Sequence, residues 1–136
     1  MRIEPIQNGI VIDHLTAGVS LELYHLLGLD KLDCPVSLIQ NAASEKMGKK
    51  DIIKIDADVP VDLDVIAYVD PGATVNVVKE GVLKEKKKLT QPRKLVNVIK
   101  CRNPRCITST EQELQHVFLL SEDGVYRCMY CEAQAK

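Results

Sequence analysis

Four cysteines fall within the last 36 residues of this 136-residue chain, as Cys101-x4-Cys106 and then, after 21 intervening residues, Cys128-x2-Cys131. A fifth, Cys34, stands alone far upstream. A reducing compartment does not keep such a quartet as disulfides, so the spacing needs another explanation. Each pair fits a tight turn that aims two thiolates at one point. Four thiolates at ~2.3 Å satisfy the tetrahedral preference of Zn²⁺ and leave no open position, which makes the expected site structural rather than catalytic. Two other readings remain: four unrelated core thiols, or a redox dithiol at Cys128 and Cys131, which lacks the strand–helix context of such motifs. His116, between the pairs, is a possible ligand, but four cysteines already complete a shell and a surface position is expected for it. Cys34 is expected to be a buried free thiol outside the shell.

The quartet also divides the chain. Residues 93–136 carry 7 basic and 5 acidic side chains, and residues 1–92 carry 11 and 14. The shorter part is too small to hold a core without a metal staple. Its pattern gives a strand over 95–100, the first cysteine knuckle, and a hairpin of 116–120 and 125–128 around the Ser-Glu-Asp-Gly turn at 121–124. The connection between the parts is expected within the stretch 84–94, which contains Pro92.

The longer part reads as mixed. A strand closes with Ile10-Val11-Ile12. A helix is expected over 17–28, with Val19, Leu23, Leu26 and Leu27 as its apolar stripe, Thr16 as N-cap and Gly28 as C-cap. A short strand at 36–39, a polar loop at 41–50 and a strand at 52–55 follow. A short helix at 62–68 ends at Asp70-Pro71-Gly72, and a hairpin of 74–78 and 82–84 turns at Glu80-Gly81. The order β-α-β-β-α-β-β predicts an α+β chain: a ferredoxin-like α/β sandwich with an added strand, then a small all-β zinc-ribbon-like domain.

Composition narrows the function. Apolar residues at 46% and charged residues at 27% exclude a wholly disordered chain. No apolar run is long enough to span a bilayer, and the N-terminus lacks a signal-peptide core, so neither membrane nor export is expected and the cytoplasm is. A net charge of −1 argues against a general grip on nucleic acid. With one Phe, four Tyr and no Trp there is little material for base stacking. None of the motifs G-x-S-x-G, H-E-x-x-H, G-x-G-x-x-G or the P-loop occurs. Asp13-His14 lacks a nearby nucleophile and reads equally as a polar strand end. Lys54, inside Ile-Ile-Lys-Ile, must point out of the sheet, at a solvated edge or toward an anion. The lysine run 84–88 reads as a solvated face or linker. The three together suggest an anion-tolerant surface.

Gly9-Ile-Val-Ile-Asp-His14, Met47-Gly-Lys-Lys-Asp-Ile-Ile-Lys-Ile55, Ala73-Thr-Val-Asn76 and C-x4-C…C-x2-C-E, in this order, resemble the regulatory chain of aspartate carbamoyltransferase over nearly the whole sequence. The resemblance implies a non-catalytic subunit of a pyrimidine-biosynthesis enzyme. Residues 1–92 would be an allosteric domain binding nucleoside triphosphates (ATP, CTP, UTP). Residues 93–136 would be a zinc domain that docks on the catalytic chain. Such chains pair as dimers that bridge catalytic trimers. By the same resemblance Asp13 would accept from the ribose, and Lys54 and Lys86 would face the triphosphate. Ile6 would read the base near Ile3 and Val11, with His14, Asn76, Val78 and Leu83 lining the pocket. Lys84, Lys87 or Lys88 could stand in for Lys86. Asn103 and Glu132 match polar interface positions, and Arg105 implies a compensating acid on the partner. Two rival readings are a zinc-ribbon nucleic-acid-binding module using Arg102, Arg105 and Arg127, and a small enzyme using Asp13-His14.

Overall fold

Apolar residues at every second position build the first unit. Ile10, Ile12, Ile53, Ile55 and Val75 are each no more than 5% exposed. In the computed structural model, which describes residues 7–135, strand pairing sets Ile10 against Ile55 and Val77, and Ile12 against Ile53 and Val75. Side chains paired across strands share a face, so these residues form one apolar surface. Ile3 and Ile6 lie outside the described residues.

The strands are β1 (Gly9–Thr16), β2 (Val36–Ser44), β3 (Gly48–Ile55), β4 (Thr74–Lys79) and β5 (Val82–Lys88). They form one antiparallel sheet in the order β2-β3-β1-β4-β5. Helix α1 (Ser20–Leu26) joins β1 to β2, and α2 (Leu63–Val69) joins β3 to β4. Each helix therefore connects two parallel strands with one antiparallel strand between them, the split βαβ arrangement. Leu23, Val65, Ile66 and Ala67 from the helices are buried with the sheet's apolar face. The expected ferredoxin-like sandwich with an added edge strand is the observed one. No helix among the described residues is long and apolar enough to cross a membrane.

Several local expectations are corrected. The stretch 41–50 is not a loop. It is the end of β2 and the start of β3, paired from Ala42↔Lys50 to Ser44↔Gly48. Strand β1 runs on to Thr16, so Thr16 caps no helix, and α1 begins at Ser20. The cause is Asp51, fully buried, whose carboxylate accepts from the backbone N–H of Gly18 (2.9 Å), Ser20 (3.1 Å) and Asn41 (3.0 Å). These bonds hold the residues ahead of α1 in a turn. Helix α2 keeps its signal: Asp62 accepts from Asp64 N and Val65 N as N-cap. The β4–β5 turn does too, with Glu80 at φ 53° and Gly81 at φ 75°. A Cβ on Gly81 would also meet Gln7 Oε1 at 3.0 Å. Cys34 is half-buried rather than buried.

Asp51 carries a pH prediction. Burial pushes its carboxyl up, but the donors of Ser20, Asn41 and Gly18 more than reverse this and hold it below the usual carboxylate range. A depressed folded-state value contributes stability that is complete above the unfolded value of about 3.9 and is lost as pH falls through the folded one. Asp51→Asn should therefore destabilise the first unit at pH 7 by roughly 1.5–3 kcal/mol. The gap to wild type should close in acid. Urea unfolding at pH 7 and pH 3 checks this, and an equal gap at both would sink it.

The second unit, Pro92–Lys136, has strands β6 (Lys94–Val96), β7 (Val117–Leu120) and β8 (Tyr126–Cys128) in one antiparallel sheet, with a one-turn helix α3 (Ile107–Thr110). The strand expected over 95–100 ends at Val96, and α3 was not anticipated. The buried apolar side chains here are Leu95, Val117, Phe118, Tyr126 and Ala135, beside Cys106 and Cys128. Tyr126 donates its hydroxyl to Pro92 O at 2.6 Å. The boundary falls at Gln91/Pro92, and 84–88 belongs to β5 rather than to the connection.

Candidate metal centre and candidate anion face

The cysteine quartet converges. The Sγ atoms of Cys101, Cys106, Cys128 and Cys131 all lie within 4.8 Å of one another. Cys101 and Cys131 sulfurs are 3.5 Å apart, and those of Cys106 and Cys128 are 3.7 Å apart. A tetrahedron with ~2.3 Å metal–sulfur bonds has edges of about 3.8 Å, so the sulfur cage already fits Zn²⁺. Such an ion would supply folding free energy and, with four sulfur ligands, no open position for chemistry.

Backbone turns set the cage. In the first knuckle Cys106 N donates to Asn103 O (3.0 Å), and Asn103 Oδ1 accepts from Arg105 N (3.0 Å). In the second, Glu132 N donates to Cys128 O (2.9 Å), with Glu132 in the left-handed region at φ 62°. The four thiols differ in environment. Burial pushes Cys101 up to about 12 and raises Cys128 as well. The Thr108 hydroxyl pulls Cys106 down to about 7, and the Ala133 amide lowers Cys131. His116 is not part of the cage, nor is it a bare surface residue: its Nδ1 accepts from Cys101 N at 3.2 Å and steadies the first knuckle. Asn103 is half-buried within its knuckle, and Glu132 is exposed.

The sheet of the first unit has a second face, away from the helices. Register places Lys54, Val11, Asn76 and Lys86 side by side across β3, β1, β4 and β5. On the same face Asp13 pairs with Thr74, and Val78 with Leu83. Three inter-strand steps separate Lys54 from Lys86, roughly 14 Å. Lys54 is thus on an interior strand, not at an edge. A bulge in β1 between Ile12 and Leu15 puts His14 at φ 58° and lets it join its neighbour Asp13 on this face, with Nδ1 3.0 Å from Thr74 Oγ1.

The register also separates the lysines of β5. Lys86 and Lys88 pair with Asn76 and Thr74 on the open face, whereas Lys87 pairs with Val75 on the helix side. Lys84 and Lys87 line a groove there with Ile10, Val75 and Val77.

Sequence reasoning missed Lys50. Its Nζ lies 3.0 Å from Asp13 Oδ1, with both side chains about four-fifths buried. Burial opposes ionisation of Asp13, yet Lys50 and the His14 amide (2.6 Å) outweigh it and keep the carboxyl low. An ionised carboxylate accepts only, and with two oxygens it retains capacity for a hydroxyl donor. The sequence alone puts Lys50 in a polar loop; only because β3 begins at Gly48 does its position four residues before Lys54 put it on the same side.

Two family models match the chain. Residues 1–90 match the allosteric domain of the aspartate carbamoyltransferase regulatory chain, and residues 93–136 match its metal binding domain. Curated regulatory chains of that enzyme are similar along nearly their whole length. One from Clostridium botulinum is 48% identical over 134 residues, covering 97% of this chain and 92% of the relative. The one from Bifidobacterium longum is 46% identical over 138 residues, covering 100% and 99%. That of Clostridium tetani is 42% identical over 135 residues, covering 97% and 94%.

Proposed function

This chain belongs to the family of aspartate carbamoyltransferase regulatory chains, and from that premise we propose that its first unit binds nucleoside triphosphate effectors while its second docks on the catalytic chain. It is a regulatory, non-catalytic chain of a pyrimidine-biosynthesis enzyme with a zinc-fitting metal domain. The observation that carries the effector reading is the Lys54–Val11–Asn76–Lys86 row on the sheet face that no described helix covers. Phosphates require cations, which Lys54 and Lys86 supply. A ribose requires an acceptor, which Asp13 supplies beside Lys50. A base requires apolar walls with polar atoms among them, for which Val11, Val78, Leu83, Asn76 and His14 are suited. Ile3 and Ile6 complete the proposed set from outside the described residues.

Docking draws support from the exposed tips of the knuckles. Ile107, Met129 and Tyr130 are apolar yet 44–48% exposed. Asn103 and Glu132 would add polar contacts, and exposed Arg105 would seek an acid on the catalytic chain. The chain would pair with itself through the first unit. Edge strand β2 (Val36–Ser44) has no charged residue, whereas edge strand β5 carries four lysines that discourage pairing. The cytoplasm, being reducing, would keep the four thiolates free for zinc.

An effector alters catalysis only if it binds the two states of the assembly with different affinity. The test is the rate of the organism's catalytic chain titrated with ATP, CTP and UTP, with and without this chain. We expect a nucleotide response only when this chain is present. A response absent in both mixtures, or equal in both, would overturn the reading.

A further inference from the structure

The metal cage contains one buried hydroxyl that the four-cysteine pattern does not call for. Thr108 is 3% exposed, and its Oγ1 lies 3.1 Å from Cys106 Sγ. A metal-bound thiolate carries no proton, so of these two atoms only the hydroxyl can donate. Cys106 itself is 2% exposed, which leaves little room for water to take over that bond. The contact is built locally: Cys106 precedes α3, and Thr108 is the second residue of that turn. Four thiolates overbalance the charge of one Zn²⁺, and a donor aimed at one sulfur relieves the excess while fixing that ligand's direction. The cage is therefore uneven. Cys106 and Cys128 are buried, with Thr108 behind the former, whereas Cys101 and Cys131 are only half-buried.

We propose that Thr108 is a positioning residue of the metal centre, its buried hydroxyl holding Cys106 Sγ toward the ion so that zinc retention depends on it. The proposal rests on zinc occupying the four-cysteine site and is independent of nucleotide binding or docking. Two variants of the full chain separate the hydroxyl from mere packing. Thr108→Val keeps the branched shape without the hydroxyl, and Thr108→Ser keeps the hydroxyl. Zinc affinity is read by competition with a chromogenic chelator. The energy of the sulfur-to-metal charge-transfer band is read in cobalt-loaded protein. Loss of an outer hydrogen bond to a ligand typically costs roughly 10–100-fold in metal affinity. We expect that loss in Thr108→Val, near wild-type affinity in Thr108→Ser, and a band shifted to lower energy in Thr108→Val alone, because a thiolate freed of a donor gives up charge more readily. A Thr108→Val chain that fails to fold around metal while Thr108→Ser succeeds also supports the hydroxyl. Wild-type affinity in Thr108→Val, or equal impairment in both variants with no band shift, would overturn the proposal. A wild-type chain that binds no zinc would instead sink the metal assignment, and the control titration reveals that separately.

Discussion

Stripping zinc from the full chain with a strong chelator should unfold the second unit and leave the first folded. Structural zinc contributes about 10–16 kcal/mol in small zinc domains. The whole stability of an ordinary domain is only about 5–15 kcal/mol. The second unit has five buried apolar side chains besides its cysteines, too small a core to offset that loss. The first unit has its own core around Ile12, Leu15, Leu23, Ile53, Ile55 and Ile66 and does not need the metal. Cys106→Ser should act like chelation, because it replaces a buried soft thiolate with a neutral hydroxyl. Amide resonances of residues 92–135 should collapse to unfolded positions while those of 9–88 stay dispersed. Metal-free chain should still bind nucleotide but fail to associate with the catalytic chain by size-exclusion chromatography. A second unit that stays folded without metal, or normal assembly after chelation, would contradict the zinc-held docking module.

The second large effect concerns the open sheet face. Lys54→Ala and Lys86→Ala should each weaken nucleoside triphosphate binding by about 1.5–3 kcal/mol, the typical value of a charge-assisted contact. That is roughly a ten- to hundred-fold loss of affinity. Nucleoside binding should change far less, since no phosphate is involved. Lys87→Ala is the internal control, because register puts that side chain on the helix side. Asp13→Ala should weaken nucleoside and triphosphate alike, as expected of a ribose contact. Calorimetry on the full chain with the matched nucleoside and triphosphate decides it. Equal losses for both ligands in Lys54→Ala, or a loss in Lys87→Ala matching that in Lys86→Ala, would remove the assigned phosphate roles.

Much of the molecule was legible in its sequence for local reasons. Two cysteine pairs with tight spacing declare a four-thiolate site because tetrahedral coordination needs four ligands and short turns to present them. Asp62 as N-cap and Glu80-Gly81 as a turn are equally local, since each is decided by backbone geometry within four residues. The β-α-β-β-α-β-β order followed from such signals, and with it the split βαβ sheet. Other features depended on partners distant in sequence. The polar stretch 41–50 carries no apolar alternation, yet it pairs as a hairpin extension because β3 is held on its other side by β1. Asp51 reads as one more surface acid until the amides of Gly18, Ser20 and Asn41 are seen around it. Which lysine of β5 faces the same way as Lys54 is fixed by cross-strand register and by a bulge between Val77 and Val78. One inserted residue flips every later side chain to the opposite face. The sequence alone therefore determined the four-cysteine group that could hold a metal and the element order, which short-range geometry dictates. Only the tertiary structure decided that Asp13, His14, Lys50, Lys54 and Lys86 share one face. Those placements are sums of registers across the whole sheet, and no single stretch of chain encodes them.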